Sequence, residues 1–209
     1  MSIRIKICGI TRYEDARIAA NLGVDALGFI FHPKSPRCIS PEAVSEITGK
    51  LPPFVSKVGV FVNEEPKRVM EVVRTAGLDT VQLHGDETPE YCGEITVPII
   101  KAFSIDSGSD LSRLCSYNVS GFLLDTWSSD RRGGTGMTFD WAVAVNACTR
   151  YRNVILAGGL GPSNILEAIE TVRPFAVDVN SGVEISPGVK NPHKMRELLS
   201  IVKNWKNRL

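Results

Sequence analysis

The sequence predicts an α/β protein of the (β/α)8 barrel class, compact and folded as one domain over residues 1–209. Two observations carry this. Short apolar runs alternate with amphipathic stretches along the chain, the rhythm of strand-helix units around a parallel sheet, and eight such runs can be placed. They fall at 3–8, 26–31, 56–62, 80–84, 99–103, 121–125, 154–157 and 176–180, with boundaries uncertain by about two to four residues.

The stretches between the runs read mostly as helices. Thr11 is placed to cap a helix running through Asn21, with Gly23 as its stop. Pro41 and Pro66 suit first-turn positions, and Pro162 and Pro192 open the last two helices. The segment between the fifth and sixth runs is short and weakly periodic. Eight units in 209 residues, fewer than the ~250 usual for this fold, imply trimmed helices and few insertions.

Composition narrows the function classes. With 43% hydrophobic content the chain can bury one substantial core, and a net charge of +1 gives no broad electrostatic reason to expect nucleic acid or an anionic membrane. The expected partner is a small molecule. The opening residues, Met1 to Lys6, interleave charge with apolar side chains and lack the hydrophobic stretch of a secretory signal, so the expectation is a cytoplasmic protein. Five scattered cysteines, odd in number and without zinc-site spacing, fit a reducing compartment. Oligomeric state stays open between monomer and homodimer.

Residues two apart on a strand share a face, which pairs Lys6 with Cys8, Gln82 with His84, Leu123 with Asp125, and Asp178 with Asn180. Charged residues inside strands of a helix-covered sheet must be paired or lie near the wet mouth of the barrel, and this applies to Lys6, Lys57, Lys101 and Asp178. For Lys57 and Lys101 a satisfied interior ion network is an equal reading.

Cys8 closes the first run and Asp125 the sixth. A lone thiol is commonly a small buried hydrophobe. Lys6 on the same face and the start of the following helix would both favour the thiolate, a competent base for a carbon-bound proton. Asp125 could cap the loop after it, yet it stands at the end of the barrel where this fold collects its chemistry. The long glycine-dense segment 126–136 could close over a ligand or be a surface loop. Gly158-Gly159 and Ser181-Gly182 follow the seventh and eighth runs, where phosphate-binding barrels place their backbone cradle. His84 lacks the partner spacing of a metal site and reads as a ligand-facing or hydrogen-bonded imidazole. Arg37, after the second run, suits a carboxylate, or belongs to an exposed basic loop.

Taken in order, Lys6-Ile7-Cys8-Gly9-Ile10-Thr11, Gly28-Phe29-Ile30-Phe31, Ser35-Pro36-Arg37, Val58-Gly59-Val60-Phe61, Val81-Gln82-Leu83-His84-Gly85-Asp86, Leu124-Asp125, Gly133-Gly134-Thr135-Gly136, Leu156-Ala157-Gly158-Gly159-Leu160 and Asp178-Val179-Asn180-Ser181-Gly182-Val183-Glu184 resemble the phosphoribosylanthranilate isomerase family over essentially the whole chain. The resemblance implies a ribulose-phosphate-binding barrel that carries out an Amadori rearrangement in tryptophan biosynthesis, with no cofactor. It implies Asp125 as the general acid on the furanose oxygen and Cys8 as the base for the C2′ proton. Arg37 would orient the anthranilate portion, and Gly158, Gly159, Ser181 and Gly182 would hold the phosphate through backbone amides. His84 and Asp178 match family positions near the barrel mouth, expected to bind substrate. One departure is Asn191, where the family usually carries Asp, and Asn also caps helices well.

The rival readings are another phosphosugar barrel enzyme, such as indole-3-glycerol-phosphate synthase, and a non-catalytic phosphometabolite sensor. The first calls for a catalytic lysine on a longer chain. The second predicts binding without turnover. A larger two-phosphate substrate would need a second anion site, for which only Gly133-Gly134-Thr135-Gly136 offers a hint.

Overall fold

The computed structural model describes residues 3–106, 108–125 and 141–206. Eight parallel strands close in sequence order into a barrel: β1 (Arg4–Ile7), β2 (Ala26–Ile30), β3 (Ser56–Phe61), β4 (Thr80–Leu83), β5 (Ile99–Ser104), β6 (Gly121–Asp125), β7 (Val154–Ala157) and β8 (Ala176–Val179). All eight predicted runs are strands, and β1 pairs with β8 to complete the circle, Lys6 lying opposite Asp178. Strand alternation divides the apolar side chains into two sets. A large one packs between sheet and helices, and a small one, with Ala102, Leu123, Ile155, Ala157 and Ala176, fills the barrel interior.

The helices are α1 (Tyr13–Leu22), α2 (Pro41–Thr48), α3 (Pro66–Ala76), α4 (Pro89–Cys92), α5 (Ala142–Arg150), α6 (Ile165–Val172) and α7 (Pro192–Lys206). Pro41, Pro66 and Pro192 open theirs as expected, and Gly23 ends α1 in the left-handed conformation, φ 81°. Trimming is severe on one side. α4 is a single turn, and the weakly periodic stretch between β5 and β6 is a 3-10 helix, Leu111–Ser116.

Two predicted helix starts are corrected. Thr11 does not cap α1, because its hydroxyl donates to the Gly188 carbonyl at 2.6 Å; α1 begins two residues later, after Arg12. Pro162 lies in the turn before α6, whose first residue is Ile165. Asn191 does cap α7, its Oδ1 accepting from the His193 and Lys194 amides at 2.9 and 3.2 Å.

The lysines within strands separate by face. Lys101 faces outward from the barrel's centre but stays buried in the protein, where it donates to the Gly85 and Ala102 carbonyls and pairs with the equally buried Glu87 at 3.0 Å. That is the ion-network reading. Lys57 pairs with Asp79 at 3.2 Å, but the pair is partly exposed, so the interior network does not extend to it. Beyond β8, a 3-10 turn (Ser181–Val183) leads into a small antiparallel hairpin, β9 (Glu184–Ser186) and β10 (Val189–Lys190). Among the described residues no helix is long and apolar enough to cross a membrane.

Candidate active site

A cavity of about 450 Å³ opens at the carboxyl ends of the strands. Its wall brings together Cys8, Arg37, His84, Asp125, Gly158, Gly159, Asp178 and Ser181 from six different strand ends. Parallel strands make this convergence automatic: every residue that follows a strand arrives at the same rim. Gly182, also expected there, is set behind the wall, because a side chain on it would collide with the Leu160 carbonyl and the Gly161 backbone. It holds the loops after β7 and β8 against each other. The segment 126–136, including Gly133-Gly134-Thr135-Gly136, lies outside the described residues.

Cys8 stands between two charges. Lys6 Nζ donates to Asp178 Oδ2 at 2.8 Å inside the barrel, and Gly28 leaves room for this corner, since a Cβ there would lie 2.7 Å from the Cys8 sulfur and 3.1 Å from Lys6 Cε. Burial works against the Lys6 ammonium, but Asp178 and then Cys8 outweigh it and raise its pKa. Burial likewise pushes the Cys8 thiol above its ordinary value of 9.0, with Lys6 opposing and Asp178 adding to the rise. Lys6 thus acts as the sequence reading expects, but desolvation is the larger effect.

Across the cavity, the Asp125 Oδ2 lies 3.5 Å from His84 Nε2, and the other ring nitrogen of His84 is 3.0 Å from the Gln82 side-chain amide. Between Cys8 and Asp125 around the barrel come β7 and β8. Gly158 and Gly159 after β7 adopt left-handed φ values of 95° and 61°, and Ser181 begins the turn after β8. Backbone in this form offers amides to an anion.

Arg37 is held by a residue that sequence reasoning gave no role. Glu184 accepts from Arg37 Nε at 2.9 Å and from Nη2 at 2.6 Å, and receives Lys190 Nζ at 2.8 Å and the Gly188 amide at 3.2 Å. Lys190 also donates to Asn180. Burial alone would raise the Glu184 carboxyl, but hydrogen bonds from Arg37 and Lys190 overcome it and bring its pKa to about 2. The effect is unequal across the cluster: burial lowers the pKa of Lys190 in spite of Glu184, because one carboxylate serves two cations. A signal for Glu184 was present in the sequence, an acid following the apolar Val183 in the same block as Asp178. Gln82 and Asn180 join the lining by strand alternation with His84 and Asp178.

The family model of N-(5′-phosphoribosyl)anthranilate (PRA) isomerase matches residues 5–201. The chain belongs to the phosphoribosylanthranilate isomerase family. It is an isomerase of tryptophan biosynthesis, as its relatives are. The N-(5′-phosphoribosyl)anthranilate isomerase of Trichlorobacter lovleyi is 52% identical over 197 residues, covering 94% of this chain and 96% of that one. The crystal structure of the isomerase from Thermotoga maritima superposes with a TM-score of 0.90 at 46% identity, covering 97% of this chain and 99% of the other. A phosphoribosylanthranilate isomerase solved in complex with reduced 1-(o-carboxyphenylamino)-1-deoxyribulose 5-phosphate matches with a TM-score of 0.87 at 44% identity, covering 97% and 99%.

Proposed function

We propose that this cavity performs the Amadori rearrangement of N-(5-phosphoribosyl)anthranilate with Asp125 as general acid and Cys8 as general base. Asp125 gives its proton to the furanose oxygen as the C1′–O bond breaks, and the anilino nitrogen, keeping its hydrogen, becomes an iminium. Cys8, as thiolate, takes the C2′ proton from that opened iminium, and the resulting enolamine tautomerises to the 1-deoxyribulose derivative by gaining a proton at C1′ and losing the one on its C2′ hydroxyl. Protons enter on one side of the sugar and leave on the other, which is the sequence of events an acid and a base at opposite walls support.

The observation that carries this reading is the placement of a buried thiol and a carboxylate on two sides of one cavity, with the turns after β7 and β8 between them. The 5′-phosphate lies against Gly158, Gly159 and Ser181, with Gly182 bracing that cradle from behind. Arg37 meets the anthranilate carboxylate. Its Nε and Nη2 are taken by Glu184, which leaves Nη1, without a hydrogen bond among the described residues, to face the ligand. Asp178 binds the ribose portion beside the base, and His84 lines the ribose end of the cavity beside the acid. No cofactor enters the scheme.

The deciding experiment follows the fluorescence loss of phosphoribosylanthranilate made in situ, with wild type and with Asp125→Asn. Rapid loss with wild type and a fall of roughly two to four decades in the variant are expected for a general acid. Full activity of Asp125→Asn overturns the assignment. No turnover by the folded wild-type chain overturns the catalytic reading and moves the sensor forward.

A further inference from the structure

We propose that Gln82 is a positioning residue that fixes His84 as its neutral Nε2–H tautomer and so makes the imidazole a hydrogen-bond donor to Asp125.

Gln82 lies on the interior face of β4, 1% exposed, in a layer where apolar side chains are the rule. Its carboxamide nitrogen is 3.0 Å from His84 Nδ1. An amide nitrogen can only donate, so Nδ1 must present its lone pair, and in the neutral ring the proton resides on Nε2. That is the nitrogen 3.5 Å from Asp125 Oδ2, a separation that a bound substrate can tighten. The imidazole is anchored by its own backbone as well, the His84 amide donating to the Phe61 carbonyl at 2.8 Å.

The arrangement carries a visible cost. Gln82 Oε1 is buried with no hydrogen-bond partner among the described residues, so the fold bears the desolvation of an unpaired amide oxygen. A methionine or leucine would fill the space without that penalty. What the amide supplies and they cannot is a donor aimed at Nδ1. The consequence for chemistry concerns the acid. A donor at Oδ2 stabilises the carboxylate that Asp125 becomes on protonating the sugar, and leaves its acid proton to the other oxygen. Gln82 acts through His84.

This inference rests on Asp125 being the general acid, and the two can fail separately. Loss of that role would show as an active Asp125→Asn enzyme, whereas the tautomer is read directly from nitrogen resonances. In protein labelled with 15N in its imidazole rings, His84 is identified by comparison with His84→Asn. The wild-type spectrum should show Nδ1 unprotonated and Nε2 protonated. Gln82→Glu places an acceptor against Nδ1 and should reverse the tautomer. With the reversal, kcat should fall by roughly tenfold, the lower end of what partners orienting a functional imidazole contribute, while KM stays within about twofold. A protonated Nδ1 in the wild type overturns the proposal even if the variant does not fold. So does a Gln82→Glu enzyme with an unreversed tautomer, or with a reversed one and undiminished kcat.

Discussion

Lys6 Nζ and Asp178 Oδ2 are 2.8 Å apart in the barrel interior, on residues opposite each other in the β1–β8 register. The ion pair therefore joins the first strand to the last at the seam where the barrel closes, directly below the thiol.

Removing one partner should be costly. Lys6→Met leaves Asp178 buried with an uncompensated charge, so the variant should lose about 3–5 kcal/mol of stability in urea titrations near neutral pH. The raised pKa of Lys6 fixes the sign of the pH dependence. Its contribution is complete below the unfolded value of 10.5 and disappears as pH rises through the higher folded value, so the wild-type advantage should narrow on the alkaline side.

Because burial raises the Cys8 pKa above 9.0, the thiolate is a minor species at neutral pH. Alkylation of Cys8 by iodoacetamide, scored by mass spectrometry, should be slow at pH 7 and still accelerating as pH passes 9.0. A plateau below that pH would contradict the balance of burial against Lys6. Cys8→Ala should lower turnover by roughly two to four decades with the fold intact.

The acid side of the stability profile belongs to Glu184. Its carboxyl falls from 4.5 to about 2, so the stabilisation it provides is present above pH 4.5 and is lost as pH drops towards 2. Melting temperatures of wild type and Glu184→Gln should differ at pH 6 and converge over that window. The variant should also bind substrate more weakly, because Arg37 loses the fork that holds its guanidinium in the wall.

At Gly182 a methyl group has nowhere to go, since Leu160 and Gly161 backbone atoms occupy the space. Gly182→Ala should force the turns after β7 and β8, the proposed phosphate cradle, apart, raising KM by at least roughly tenfold, a loss of about 1.4 kcal/mol in binding. Competition by inorganic phosphate should weaken in parallel.

Much of this was legible in the sequence for a physical reason: side-chain direction on a strand has period two, and the ends of parallel strands share a rim. Knowing only that Cys8, His84 and Asp125 close their strands, and that Asp178 faces the interior near the end of β8, is enough to place them together. What sequence could not supply were contacts made by long side chains across loops. Arg37 and Glu184 are 147 residues apart, and nothing local in either segment announces the pair. Thr11 looked like a helix cap because a hydroxyl before an amphipathic run usually is one; Gly188, 177 residues later, claims it instead. Lys101 and Lys57 have the same strand context, and only the depth of their partners, buried Glu87 and exposed Asp79, distinguishes them.

The hairpin after β8 ties together parts of the site that lie far apart along the chain. Glu184 grips Arg37, Lys190 reaches back to Asn180 at the turn after β8, and Gly188 receives Thr11 from the segment after the thiol. On the proposed assignment, the feature that reads the ligand's carboxylate and the one that reads its phosphate are thus mounted on one frame. Such a frame works as a gauge of length: a sugar phosphate carrying a shorter or longer acid arm would satisfy one end only at the expense of the other.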